Sequence, residues 1–453
     1  MTVSHPESGE YESFLRGELS SGDNRRIVHR LLSAWRVCRS ELGQIWAENR
    51  LPSLLAPWPK TGPAGPDYRS AFASLLPLLS ERAQAISRER QRLPELIASL
   101  QAHPAGEQEG LLRCREEFRS WLFCEWLIDE SRQNLHIDLG RARELAHFAM
   151  AVAELLDPQV YGDALIRDLQ ARSWACLGEA LRILSDLRSA ERAFARAESL
   201  IAQGTGDAFE EAHILELKAA LRRDQRRPDE AHELLDDVIG IYRQHRDLHL
   251  VGRAFVQKGR VHGRCDELEP AIDWLRKGLS LIDPTRERRL ELVARHNLML
   301  YLEESGRHSE ARFLLNASRP EFLRHGGELL NLRLQWLEGK IHGSLGLPQE
   351  AEEALSGALR GFLRLGVGFS AAAVSLDLAA LYARQGRSAE MHQLSAGMLP
   401  IFQSRDLHQE AAAALIAFQR AVAMESVSAK LLADLRSYLD RACKDPELRF
   451  EPI

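Results

Sequence analysis

The chain has 453 residues, of which 45% are hydrophobic and 27% charged, with a net charge of -6; this length exceeds what one compact core usually holds, and the acidic balance excludes general binding to nucleic acid. No apolar run approaches the roughly 20 residues that span a bilayer, and the opening Met1-Thr2-Val3-Ser4-His5-Pro6 has neither the basic nor the apolar stretch of a secretion signal. The six cysteines, Cys38, Cys114, Cys124, Cys176, Cys265 and Cys443, lack a paired spacing and predict reduced thiols in a cytoplasmic protein; neither membrane nor nucleic acid is expected as a partner.

Residues 1–50 predict a helical hairpin, with Glu10 to Glu48 forming two helices separated by Ser20-Ser21-Gly22-Asp23. A Pro- and Gly-rich linker comes next over 51–66, and a long helical connector over 67–110, broken or kinked near Pro77 and Pro94. Within the first piece, Phe14 to Ser20 and Arg25 to Leu42 resemble the zinc-binding anti-sigma domain. That family carries a His shortly before a Cys-x-x-Cys pair, and its zinc-bound helices clasp a sigma factor. Here Trp35 stands where the first of the two cysteines belongs, only Cys38 remains, and His29 is displaced. One thiolate and one misplaced imidazole fall short of the four ligands of a structural zinc site. No metal is expected, with Trp35 filling the volume the ion would take. The plainer reading is an amphipathic hairpin that docks on the helices downstream of it.

From residue 111 to 406 the chain reads as a repeat array. Small anchors recur at Ala190, Ala231, Ala271, Ala311 and Ala351, with Met391 in the last copy, each about 40 residues after the one before. A bulky residue stands four positions after the anchor, and the context Gly-x-x-x-Glu-Ala occurs at Gly306 and Gly346. Two antiparallel helices approach closely only where side chains are small, so this alternation predicts stacked helical hairpins. Ser305-Gly306-Arg307, Leu345-Gly346-Leu347-Pro348 and Gln385-Gly386-Arg387 supply the turns inside hairpins, while Asp283-Pro284 and Leu156-Asp157-Pro158 mark the stops between them. Trp126, Ala142, Ala146 and Ala149 extend the pattern upstream, with an insertion expected around Pro158 to Asp163. Downstream, residues 407–453 predict capping helices over Gln409 to Met424 and Ser428 to Cys443, closing an array of seven hairpins.

The first regular copy carries Trp174, Leu177, Gly178, Leu181, Ala190, Phe194 and Ala197 at the seven signature positions of the tetratricopeptide repeat, and on these residues the chain resembles that family. Looser copies hold Phe255, Gly259, Ala271, Leu275 and Gly278, then Gly339, Ala351, Leu355 and Ala358. The weakest holds Ala379, Met391 and Met398, with Ser395 at the bulky position and Leu394 beside it. Armadillo and HEAT arrays have repeats of similar length, but the matched Gly and Ala positions are the tetratricopeptide ones. The resemblance implies an all-α, right-handed α-solenoid whose longer period reflects longer helices or loops. It also implies a concave groove lined by the first helix of each hairpin. Carried onto this sequence, the groove positions give nine basic residues, Arg172, Arg182, Arg223, Arg253, Arg260, Arg264, Arg333, Lys340 and Arg384. Against them stand five acidic ones, Glu179, Glu216, Asp224, Glu303 and Glu304, and Trp336 offers an apolar anchor. An excess of cations suggests an acidic partner segment; the alternative is an ordinary solvated helix face.

Catalytic motifs are missing from the sequence: it has no His-Glu-x-x-His, no phosphate loop ending in Gly-Lys-Ser or Gly-Lys-Thr, no Gly-x-Ser-x-Gly and no Cys-x-x-Cys. Gly204-Thr205-Gly206-Asp207 reads as a helix stop followed by an Asp cap, and Gly366-Val367-Gly368-Phe369 as another stop. Histidines such as His213 and His296 read as scattered surface or groove residues. The expectation is a non-enzymatic adaptor without cofactor that binds a protein or peptide along the groove. Two alternatives are an anti-sigma-like or peptide-sensing transcription regulator and an inhibitor of a partner enzyme. Copurification with a sigma factor would favour the first alternative.

Overall fold

The computed structural model describes residues 87–135, 137–402, 409–442 and 448–450, and these contain helices and no strand. The amino-terminal hairpin with His29, Trp35 and Cys38, the 51–66 linker, Pro77 and Cys443 lie outside the described residues. Residues 87–101 form α1, which runs on through Pro94, and α2 spans Ala105–Cys114. The next helix pairs are α3 Trp121–Asn134 and α4 Leu139–Glu154, α5 Asp163–Ile183 and α6 Leu187–Ile201, then α7 Ala208–Asp224 and α8 Pro228–Gln244. They continue as α9 Leu248–Arg264 and α10 Leu268–Leu279, α11 Arg288–Glu304 and α12 His308–His325, and α13 Gly327–Ser344 and α14 Pro348–Leu365. The last pairs are α15 Gly368–Gln385 with α16 Ser388–Ala396, and α17 Gln409–Ala423 with α18 Ala429–Ala442. A single helical turn, Pro158–Tyr161, stands before α5, where the sequence places its insertion.

The chain divides into two compact units, one ending at Gln225 but including Asp236–Asp247, the other formed by Arg226–Leu235 and everything from Leu248 onward. In the first unit, Leu96 and Leu100 of α1 share a core with Phe123, Leu127, Phe148 and Leu169. Glu89 of α1 accepts hydrogen bonds from Ser120 Oγ (2.6 Å), Leu122 N (3.1 Å) and Tyr161 OH (2.7 Å), so a carboxylate sits on the amino end of α3, where the helix dipole favours it. In the second unit, Ile272, Leu275, Leu298, Leu315 and Leu334 form one core, and Phe362, Val374, Leu415 and Leu435 form the next.

Four helix starts of the first unit are set by side-chain caps. Ser120, Asp138, Asp186 and Asp207 accept bonds from backbone amides two or three residues ahead, opening α3, α4, α6 and α7. Helix ends inside the hairpins share a single device. Ser185, Arg226, Asp266, Gly306, Gly346 and Gly386 take φ values of 64°, 59°, 61°, 81°, 73° and 68°, in the left-handed region. Each stands five residues before the anchor position of its repeat, Met391 in the last copy. In five of the six, the amide after it donates to the carbonyl five residues back: Asp186 to Leu181, Glu267 to His262, Arg307 to Leu302, Leu347 to His342 and Arg387 to Tyr382. That bond turns the chain sharply and satisfies a carbonyl the helix end would orphan.

The anchors then do what their size predicts. Ala190, Ala231, Ala271, Ala311 and Ala351 are fully buried, as are the upstream Ala142, Ala146 and Ala149. Gly178, Gly259 and Gly339 on first helices face Phe194, Leu275 and Leu355 on second helices, and Trp174 packs at the edge of the first unit's cores. Burying each such Phe or Leu contributes about 1.5–3 kcal/mol. In the weakest copy, Ser395 is buried at the bulky position, Leu394 packs from the side, and Met398 fills the interior. This repeat has the shortened second helix α16.

Candidate functional site

In the first unit, the predicted groove residues of the first helices are tied together by charge. Arg172 of α5 donates Nη1 and Nη2 to Glu125 of α3 (2.6 and 2.9 Å), and its Nε stands 3.5 Å from Glu210 of α7. It is only 8% exposed. Burial opposes its charge, but the two carboxylates outweigh that and hold the guanidinium well above its ordinary range. Arg182 is bonded to Glu179 (2.8 and 2.6 Å) and reaches Asp224 on the next first helix. Arg223 donates Nε to the same Asp224 (2.9 Å), and its Nη1 is enclosed without a hydrogen-bond partner. Burial works against the Asp224 carboxylate, yet Arg223 and Arg182 draw it down to about 2. Glu216 accepts from Tyr242 OH (3.4 Å), and His213 meets Arg132 of α3 at 2.9 Å.

In the second unit, Arg253 of α9 pairs with Glu287, the residue that opens α11, at 3.0 Å, and Arg260 donates to Gln257 of its own helix (3.0 Å). Arg264 is half-buried near the end of α9. Lys340 of α13 pairs with Glu303 (3.0 Å) and Glu304 (3.8 Å) of α11, and Ser344 also donates to Glu303 (3.0 Å). Trp336 donates its indole N–H to Asp377 of α15 (2.6 Å) and meets Phe362 edge-on. Arg436 covers the indole ring at 5.1 Å. The expected apolar anchor is thus half-buried under polar neighbours. His296 lies on the same set of helices, its Nε2 enclosed without a hydrogen-bond partner; burial, helped by Arg333 and Lys340, lowers its pKa to about 4 and keeps the ring neutral. Arg333 and Arg384 are exposed, and Arg384 Nη2 reaches over α13 to within 3.6 Å of where a Cβ on Gly343 would stand.

The acidic groove positions therefore neutralise several of the basic ones. Glu125, Glu210, Glu287, Asp377 and Arg436 complete the face, and sequence reasoning missed all five. One signal could have found most of them: these bonds join residues about one repeat apart, 47 for Arg172 with Glu125, 34 for Arg253 with Glu287 and 41 for Trp336 with Asp377.

Chemistry of the nucleophilic kind finds little footing among the described residues. Burial pushes the Cys124 thiol up to about 12 and raises Cys176 as well, so neither is a thiolate near neutrality. Asp168 accepts from Thr205 N and Oγ1, which places a carboxylate where a phosphate-cradling loop would need an anion to enter. Gly206 turns at φ 76° and Asp207 caps α7, while Gly366 ends α14 at φ 70°. No group of three His, Cys, Asp or Glu residues is placed to hold a metal ion, and no helix is long and apolar enough to cross a membrane, among the described residues.

No family model and no curated protein matches this chain. Solved structures do. A crystal structure of a Rap protein complexed with Competence and Sporulation Factor aligns with a TM-score of 0.51 at 12% identity, covering 71% of this chain and 87% of that one. The apo form of RapI aligns at 0.50 with 14% identity, covering 70% and 86%. Aspartyl phosphate phosphatase F from Bacillus subtilis aligns at 0.46 with 15% identity, covering 73% and 97%. At such identities the first two establish a shared fold of helical hairpins.

Proposed function

We propose that this chain is a non-catalytic, regulatory adaptor that holds a partner protein or peptide along the first helices of its hairpins. The observation that carries the reading is the face built by α9, α11, α13 and α15, where consecutive helices are joined by bonds such as Lys340 to Glu303 while Arg333 and Arg384 reach the surface. A rigid row of helices with exposed guanidinium groups suits an extended segment bearing carboxylates, which Arg binds bidentately. One structure of this fold is complexed with Competence and Sporulation Factor, and we carry a binding role to this chain. The inert buried thiols agree with a binding role, and unpaired Cys114, Cys124, Cys176 and Cys265 agree with a reducing cytoplasm.

The test is affinity capture from the native host with crosslinking mass spectrometry, run on the wild type and on a variant carrying Arg260→Glu and Arg264→Glu. Crosslinks on first helices, with capture that weakens and loses salt dependence in the variant, would support the reading. Crosslinks confined to second helices, or capture unchanged by charge reversal, would overturn it. A sigma factor among the captured proteins would instead favour the transcription-regulator alternative.

A further inference from the structure

A cavity of about 140 Å³ opens in the first unit between the second helices α4 and α6, over α5. Met150 and Glu154 line it from α4, Arg167, Gln170 and Trp174 from α5, and Arg196 and Leu200 from α6. Its charges differ from those of the unit's ion-paired cations. Arg172, Arg182, Lys218 and Arg222 are each held by a carboxylate. Arg196 and Glu154 face this cavity with no hydrogen bond or ion pair among the described residues, and Arg167 donates only to Gln170 Oε1 (3.3 Å). Gln170 is itself anchored through Nε2 to the carbonyl of Ala153 (3.2 Å). The Arg167 guanidinium is thereby oriented while keeping its other N–H groups available, which lowers the entropy lost when an anion binds. Trp174, Met150 and Leu200 supply apolar wall. The volume compares with the roughly 150 Å³ that elsewhere admits a benzene-sized ligand.

We propose that this cavity binds a small carboxylate carrying an apolar group, with the charge pattern of an apolar amino acid. The carboxylate lies between Arg167 and Arg196, the apolar group rests on Trp174 and Met150, and an ammonium faces Glu154. Two arginines against one glutamate leave one spare positive charge for the anion. The site joins the second helices α4 and α6 to the first helix α5 and includes none of the predicted groove cations.

The experiment follows the indole resonance of Trp174 in the full chain, assigned with Trp174→Phe, during titration with leucine, N-acetyl-leucine, leucinamide and inorganic phosphate. Leucine is expected to shift it saturably and leucinamide to leave it in place. Arg167→Gln and Arg196→Gln should each weaken leucine about tenfold, the loss of one charge-assisted hydrogen bond, without changing the melting temperature. Glu154→Gln should weaken leucine and spare N-acetyl-leucine. If N-acetyl-leucine binds as tightly as leucine, the carboxylate site stands and its source is a polypeptide carboxyl terminus. Leucinamide or phosphate matching leucine, or no shift with any probe at millimolar concentration, overturns the proposal.

Discussion

A Cβ placed on Gly339 would stand 2.6 Å from Cγ of Leu355, across the interface of α13 and α14. The same relation joins Gly259 to Leu275 at 2.9 Å and Gly178 to the Phe194 ring at 3.0 Å. Each of these hairpins closes because the first helix yields its Cβ at the point where the second sends in a large side chain.

Gly339→Ala is therefore expected to lower stability by about 1–2 kcal/mol in urea denaturation, since overpacking outweighs the better helix propensity of Ala. Gly110→Ala supplies the contrast. It lies inside the exposed helix α2 with nothing within 4 Å of its added Cβ, and should stabilise by up to ~1 kcal/mol. Equal effects at the two sites would remove the packing argument.

The left-handed turns make a second prediction. Ser185 and Asp266 hold φ values of 64° and 61°, where a side chain costs about 1 kcal/mol that Gly avoids. Ser185→Gly and Asp266→Gly should raise the thermal midpoint, whereas Gly306→Ala, at φ 81°, should lower it by a comparable amount. A fall in the midpoint with Asp266→Gly would show that its side chain contributes more than its backbone strain costs.

These turns also show what the sequence could and could not disclose. The Ala anchors and their interval made the hairpins legible, because smallness at a buried position leaves a mark in residue type. Half of the six turns carry no Gly: Ser185, Arg226 and Asp266 stand left-handed without it, and at Ser185 and Asp266 the bond from the next amide closes the turn, which residue type does not record. The candidate face was legible by position and illegible by charge. Counting Arg172, Arg182 and Lys340 as available cations overlooked Glu125 and did not pair Asp224 with Arg182 or Glu303 with Lys340, contacts that form only once neighbouring repeats stack.

Arg172 yields a third prediction. Its removal leaves the half-buried Glu125 and Glu210 without their shared buried cation, and breaking a buried pair costs up to about 3–5 kcal/mol. Arg172→Met should lose stability on that scale in denaturant titration. Adding Glu125→Leu should restore much of it, because the two apolar side chains need no solvation. A double variant no better than the single one would mean that Arg172 acts through packing of its stem instead of its charge.

Asp207 connects the fold to pH. Burial, reinforced by nearby Glu210 and Asp168, pushes its carboxyl up to about 7 against the amides of Phe209 and Glu210 that favour the anion. Between the ordinary carboxylate range and pH 7 the folded chain keeps a proton that the unfolded chain has released, so this group makes stability fall as pH rises through that window. Asp168, whose carboxyl is raised by burial, slopes the same way. Asn caps a helix about as well as Asp and carries no charge. Asp207→Asn should match the wild type at about pH 4 and exceed it by a margin that widens toward pH 7, then stays constant. Thermal melts across that range check it, and parallel curves for the two proteins would place the retained proton on another residue.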